Sequence, residues 1–322
     1  MEGLAIVVPR IVTVGLSAVA GIAGIGTLVS ELARLGWPFE LASHFRVQYA
    51  WLLFLSAGLF AGIGHLPVAL LALGGGFINL ALIAPLYAKP TRRMTQQPCR
   101  ALLANVLSSN RAYERLRRVI REANPDVIVL TEVTQAWLTA LEDFRAPYPF
   151  TKVVVLDGGF GIAVMSRLPF EHAEATYIGQ VGLPSIVVRL SLHGRRVTLV
   201  ATHPLAPLWP SHARLRNQQL AALAEYVRRE HDPVILLGDL NTTSWSPVFQ
   251  DLIRHSRLRD SRVGFGVQPS CSVATALVQI PIDHCLVSSE VIVHHRQVGP
   301  NIGSDHSPII VDFSIEEREV AS

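Results

Sequence analysis

Charge is what this chain has least of. Only 16% of its 322 residues are Asp, Glu, Lys or Arg, against about a quarter in an ordinary soluble domain, while 50% are hydrophobic. Two stretches, 11–30 and 47–88, carry no charged side chain. That excludes a purely soluble protein. Cysteine is scarce as well: Cys99, Cys271 and Cys285 have neither metal-ligand spacing nor the even number of a disulfide framework, so they read as plain buried or surface thiols. There is no internal repeat and no low-complexity tract. Excess positive charge is missing too. Six of 28 basic and three of 25 acidic residues precede position 94, leaving 22 of each beyond it. A formally neutral domain excludes a surface coated in positive charge for non-specific duplex binding, though not a local basic groove.

The apolar stretches read as membrane helices. At about 1.5 Å per residue, 47–88 would make roughly 63 Å of helix, two crossings of a ~30 Å hydrocarbon layer, with His65 and Pro67 at the turn between them. We expect a three-helix membrane anchor over 1–88, with spans at about 11–31, 47–64 and 67–87 and with Tyr49, Trp51 and Tyr87 at interfacial depth. A cleaved secretory signal ending near Ala18-Val19-Ala20 is the alternative for the first span, but the apolar run continues well past that point. Gly58-x-x-x-Gly62 permits close helix contact within the bundle. Arg34, Arg46, Lys89, Arg92, Arg93 and Arg100 lie on one side of such an anchor and Arg10 on the other. The positive-inside rule then places a multi-pass protein in the cell membrane with its C-terminal part in the cytoplasm.

Residues 89–99, with Pro90 and Pro98, read as a linker, and 317–322 as a tail. Between them, 100–316 alternates short elements. Strands are expected at 101–106, 126–130, 152–155, 161–166, 185–192, 196–202, 233–237, 281–287, 291–297 and 308–313, and helices at 112–123, 134–141, 212–230 and 246–255. Ten strands against four helices is too strand-rich for a doubly wound parallel sheet. Hairpins such as 185–192 with 196–202 imply an α+β sandwich, two packed sheets with outer helices.

The polar residues that interrupt this pattern stand where strands stop. Asp126 to Thr131 is a buried-looking strand ending in Glu132, a metal-ligand candidate whose plainer reading is a helix N-terminal glutamate. The strand before Gly238-Asp239-Leu240-Asn241 aims Asp239 and Asn241, two apart, in one direction, where a carboxylate and an amide together can bind phosphate or a metal-bound water. Asn105 ends its own strand and could coordinate a cation or simply form a turn. His203 follows strand 196–202. Asp283 and Ser304-Asp305-His306 flank the last strands. Phosphodiester hydrolysis needs a base, a cation and donors together, and His306 held by a carboxylate supplies the base.

This ordered set (Asn105, Glu132, Phe160-Gly161-Ile162-Ala163-Val164-Met165-Ser166-Arg167, Thr202-His203, Gly238-Asp239-Leu240-Asn241, Asp283, Ser304-Asp305-His306) resembles the endonuclease/exonuclease/phosphatase superfamily over roughly 100–314. The resemblance implies an α/β/β/α four-layer sandwich and a divalent cation, Mg²⁺ or alternatively Mn²⁺. It makes Glu132 the principal metal ligand, with Asn105 and Asp305 near the cation. His306 becomes the general base oriented by Asp283, Asp239 and Asn241 position water and phosphate, and His203 meets the scissile group. Arg167 reads as structural. Leu107 stands where some relatives carry a second acidic residue, which favours one metal. The expected activity is a membrane-anchored phosphodiesterase with nucleic acid as default substrate. A phospholipid or sphingolipid headgroup phosphodiesterase, or a phosphoinositide phosphatase, is the alternative, and a catalytically inactive binding module the second. Membrane lipid is an expected partner; no protein partner can be inferred.

Overall fold

In the computed structural model, which describes residues 2–88, 97–273, 275 and 278–316, the chain divides into two units: Met1–Tyr87 with Trp245–Pro247, and Ala88–Ser244 with Val248–Ser322. Most of the linker (89–96) and the tail (317–322) lie outside the described residues.

The first unit is helical: α1 (Glu2–Glu31), α2 (Trp37–Ser43), α3 (Arg46–Gly62) and α4 (Leu66–Ile83). Large apolar side chains such as Ile22, Leu28, Trp51, Leu55 and Leu71 are exposed, the reverse of a water-soluble bundle. Two stretches, Thr13–Glu31 and Leu66–Tyr87, are long and apolar enough to cross a membrane; α3, at 17 residues, falls just short of that length, so two of the three expected spans meet it. The turn expected at His65 and Pro67 lies at 63–65, with Pro67 in the first turn of α4. Small residues allow close packing, but at Gly26, Gly75 and Gly76 and not at the Gly58/Gly62 pair, where an added Cβ would meet no other segment among the described residues within 4 Å. A Cβ on Gly26 would stand 2.5 Å from the ring of Tyr49, which packs against the bundle. Arg46 ties three helices: Nη1 pairs with Glu31 Oε1 at 2.8 Å and donates to Asn79 Oδ1 at 3.3 Å, and Asn79 Nδ2 donates to Thr27 Oγ1 at 2.8 Å.

The second unit contains β1 (Cys99–Asn105), α5 (Tyr113–Ala123), β2 (Val127–Thr131), α6 (Gln135–Ala140), β3 (Phe150–Val154), β4 (Ile162–Ser166), β5 (Phe170–Thr176), β6 (Ser185–Leu192), β7 (Arg195–Thr202), α7 (Pro210–Arg229), β8 (Val234–Asp239), α8 (Pro247–Ser256), β9 (Arg259–Asp260), β10 (Cys271–Ser272), β11 (Gln279–Ile280), β12 (Asp283–Val287), β13 (Val291–Val298) and β14 (Ile309–Ile315). One six-stranded sheet runs β13-β14-β1-β2-β4-β3 and the other β5-β6-β7-β8-β12-β9.

Strand alternation builds four layers. Ala101, Leu103, Val127 and Val129 face Val188, Leu199, Ile235 and Leu237 of the other sheet, while their neighbours Leu102, Ala104, Ile128 and Leu130 turn outward onto Leu116, Ile120 and Trp137. On the far side Val200, Leu236 and Leu286 meet Leu220, Leu223 and Phe249. Both faces of each central strand are covered, hence their unbroken apolar runs. The expected α/β/β/α sandwich is the observed one. The pattern passed over β5, an edge strand whose Phe-Glu-His-Ala-Glu-Ala-Thr run is half exposed, and the two-residue strands β9, β10 and β11.

Candidate active site

Two parallel pairings among otherwise antiparallel strands set the site. β1 runs beside β2 with Asn105 opposite Thr131, and β7 beside β8 with Thr202 opposite Gly238, so the C-terminal ends of four strands deliver Asn105, Glu132, His203 and Asp239 to one rim. β12 runs antiparallel to β8 with Asp283 opposite Asp239. An isolated bridge between Cys271 and His306 adds the imidazole. Gly238 is required by this weave: a Cβ there would lie 2.1 Å from the Thr202 carbonyl oxygen.

The side chains form one connected polar cluster. Asn105 Nδ2 donates to Glu132 Oε1 at 2.9 Å and, across the sandwich, to Asp239 Oδ2 at 3.0 Å. That same Asp239 oxygen lies 3.5 Å from His203 Nε2 and 3.6 Å from His306 Nε2. His306 Nδ1 lies 2.7 Å from Asp283 Oδ2, a nearly fully buried carboxylate. Asn241 Nδ2 donates to the Pro204 carbonyl at 2.9 Å and stands 3.5 Å from His203 Nε2. Of the expected site residues, Asn105, Glu132, His203, Asp239, Asn241, Asp283 and His306 thus come together. Asp305 is exposed and its Oδ1 accepts from Ser304 Oγ at 3.2 Å; among the described residues no hydrogen bond or ion pair ties its carboxylate into the cluster. Arg167 stacks over the Tyr148 ring with its guanidinium carbon 4.9 Å from the centroid, away from the site.

Glu132 and Asn241 are non-glycine residues in left-handed backbone, at φ 61° and 51°. Such conformations cost of order 1–3 kcal/mol and persist where the surroundings enforce them. At Glu132 the flanking groups are pinned, Thr131 O by Val106 N and Val133 N by Gly161 O, both at 3.0 Å, and Ser108 N donates to Glu132 Oε2 at 3.1 Å. At Asn241 the carbonyl accepts from Arg216 Nη1 at 2.7 Å, and Asn241 N donates to Asp239 Oδ1 at 3.0 Å. Arg216 did not stand out as a site residue. Its signal was available: it occupies the buried stripe of α7 with Ala213, Leu220, Leu223 and Val227, a position that otherwise takes an apolar side chain. Ser270, whose Oγ accepts from Asp283 N at 3.1 Å, left no such signal.

Proton affinities follow from the arrangement. Burial pulls the His306 imidazole down, but the charges of Asp283 and Asp239 outweigh it and hold its pKa well above the usual histidine value. His203 is raised as well, burial again losing to the hydrogen bond and charge of Asp239. Burial opposes ionisation of Asp239, yet the charge of His306 and the hydrogen bond from His203 hold its carboxyl well below the ordinary range. Burial raises the Cys271 thiol beside His306. One buried and one half-buried carboxylate, Asp239 and Glu132, converging on one amide nitrogen form a place for positive charge. Asp239, Asp283 and His306 offer ligand atoms within 4.8 Å of one another, and Asp283 Oδ1 is buried without a hydrogen-bond partner among the described residues. Since Asp283 Oδ2 is already committed to His306, the carboxylates of Glu132 and Asp239 are the better oxygen pair; Asn105 turns its Nδ2 to both of them and its Oδ1 to Leu107 N, 3.0 Å away. That carboxylate pair suits a hard divalent cation.

Residues 102–306 match the Endonuclease/Exonuclease/phosphatase family. The chain belongs to that family. Its members are phosphoester hydrolases. No curated protein sequence matches the chain at a significant level. Among solved structures, TDP2 of D. rerio complexed with single strand DNA product is similar over 68% of this chain and 100% of that one, at 17% identity and a TM-score of 0.56. The human Nocturnin catalytic domain with bound sulfate anion is similar over 68% of this chain and 94% of that one (18% identity, TM-score 0.55). Sphingomyelinase C from Streptomyces griseocarneus is similar over 67% of this chain and 99% of that one (16% identity, TM-score 0.52). At such identities the likeness is one of fold.

Proposed function

We propose that this member of the endonuclease/exonuclease/phosphatase family is a membrane-anchored, divalent-metal-dependent hydrolase of phosphodiester bonds. The observation that carries the reading is the run of polar contacts Glu132–Asn105–Asp239–His306–Asp283, hydrogen bonds except for the 3.6 Å Asp239–His306 ion contact, which sets a pocket for a cation beside a base with its own carboxylate. Glu132 and Asp239 would hold the cation, Mg²⁺ or Mn²⁺, with Asn105 tying the two carboxylates together and Asp305 contributing negative potential from the rim. When bound, the cation neutralises phosphate charge and favours ionised water.

The remaining roles belong to the chain's own groups. Asp283 accepts the Nδ1 proton of neutral His306 and so leaves Nε2 as the basic nitrogen, which takes a proton from water. Asp239 and Asn241 orient that water and the phosphoryl oxygens. His203, protonated under the influence of Asp239, meets the scissile phosphoryl group. The helices Thr13–Glu31 and Leu66–Tyr87, with α3 as a third span, anchor a multi-pass protein in the cell membrane, and the arginines and lysine at 34, 46, 89, 92, 93 and 100 keep 100–316 on the cytoplasmic side.

Two carriers of the bond suit this site. A nucleic acid is supported by the fold's likeness to TDP2 in its DNA-product complex, and a lipid headgroup by the apolar helices. Full-length protein incubated with Mg²⁺ and with bis(p-nitrophenyl) phosphate, single-stranded DNA and phospholipid in turn should hydrolyse at least the first, and Glu132→Ala or His306→Ala should abolish it. Wild-type turnover in either variant refutes the site.

A further inference from the structure

The cluster is bordered by two loops whose exposed side chains are mainly apolar. One, 155–161, joins β3 to β4; a Cβ on its Gly159 would stand 3.3 Å from Glu132 Oε2, so it lies against the cation pocket. The other, 203–209, leaves His203 for α7, and its Pro204 carbonyl accepts from Asn241 Nδ2 at 2.9 Å. They meet where the Phe160 and His203 rings approach with centroids 6.1 Å apart. From the first project Val155 and Leu156, 45% and 37% exposed, and from the second Leu208 and Trp209, 68% and 62% exposed. Scattered exposed apolar residues are ordinary; four on two touching loops beside a catalytic cluster are not.

A polynucleotide would need cations here to follow its neighbouring phosphates. Residues 153–166 and 203–213 contain no Lys or Arg, and the one charge on the first loop, Asp157, repels a phosphate backbone. Only eleven residues separate Tyr87 from Cys99. That short connection ties the domain in sequence to the apolar helices, which supports a bilayer lipid as the substrate it meets. We propose that Val155, Leu156, Leu208 and Trp209 form an apolar lip that seats the hydrocarbon of a bilayer lipid, making the hydrolysed bond a phospholipid headgroup phosphodiester. This rests on the hydrolase reading above. Water's oxygen bonds to phosphorus, the lipid–oxygen or headgroup–oxygen bond to phosphorus breaks, and the proton lost by water ends on the leaving oxygen.

The test uses the full chain with Mg²⁺ in nanodiscs of phosphatidylcholine, phosphatidylglycerol and sphingomyelin. Headgroup release is compared with cleavage of single-stranded DNA and of bis(p-nitrophenyl) phosphate. The expected result is lipid turnover at least tenfold above DNA cleavage, and a fall of tenfold or more in the ratio of lipid to soluble-diester turnover in Leu208→Ser/Trp209→Ser; if that double variant does not fold, Leu156→Ser gives the same reading. Cleavage of DNA with intact lipid, or an unchanged ratio, overturns the lip while the hydrolase reading stands. Failure to hydrolyse even the soluble diester defeats the hydrolase reading itself.

Discussion

Replacing Asp283 by Asn probes the pairing on which the proposed base depends. The carboxylate is 1% exposed and 2.7 Å from His306 Nδ1, so the substitution exchanges a buried charge-assisted hydrogen bond for a neutral one. Such bonds contribute about 1.5–3 kcal/mol, which lowers kcat/KM roughly 10- to 150-fold if the pairing acts in the transition state. The backbone should stay in place, because Asp283 N is held by Ser270 Oγ and the Asp283 carbonyl accepts from Arg296 Nη2 at 3.2 Å whatever the side chain. Asp283 also raises the proton affinity of His306, so the neutral base of the native protein becomes available only as pH climbs through an elevated value. With Asn at 283 that contribution is gone while burial remains, and the ascending limb of the pH–rate profile moves to lower pH. The assay is kcat/KM for bis(p-nitrophenyl) phosphate from pH 5 to 10 at saturating Mg²⁺, with a thermal melt on both proteins. A folded variant within threefold of the native rate, with its ascending limb unmoved, refutes the assignment of His306 and Asp283 as base and orienter.

Binding of Mg²⁺ should raise the melting temperature, with about 2.7 kcal/mol of stabilisation at a hundredfold excess over Kd; EDTA should reverse it and Glu132→Ala should remove it, as differential scanning fluorimetry will show. His284 is buried with Nε2 2.8 Å from the Thr242 carbonyl, and burial, then the charge of Arg262, pushes its pKa down from 6.5 to about 3. The unfolded chain therefore takes the proton first. The stability of the neutral form is complete above 6.5 and is lost as pH falls towards 3, at up to about 1.4 kcal/mol per pH unit, and His284→Gln should flatten that slope in urea titrations. Asp260, lowered from 3.8 to about 2 as Arg262 outweighs burial, contributes about 2 kcal/mol above pH 4 that is lost between 4 and 2; denaturation midpoints of Asp260→Asn should show no loss over that range. Gly238→Ala should separate β7 from β8 and lower stability by several kcal/mol, read as the shift in urea midpoint, because its Cβ meets backbone and not a flexible side chain.

Motifs at strand ends were legible because a buried strand tolerates a polar residue only where it stops. That is why Glu132, Asp239 and Asn105 stood out of apolar runs, and why the runs themselves marked β1, β2, β7 and β8. β5 escaped because an edge strand needs only one apolar face. Arg216 escaped because its role, donating to the Asn241 carbonyl 25 residues away, is a long-range contact with no local spacing. Asp305 was as conspicuous as His306 by position, yet the turn directs only the imidazole into the buried cluster.

Composition and periodicity, which are local properties, determined that an apolar helical segment precedes a strand-rich domain and which residue types stand at the strand ends. Only the tertiary structure decided that Asn105 donates to Asp239 across 134 residues of chain, that Asp283 lies opposite Asp239 in register, and that two exposed apolar loops border the pocket. Register and sheet-to-sheet packing place these groups, and both depend on contacts between segments far apart in the chain, which no local pattern records.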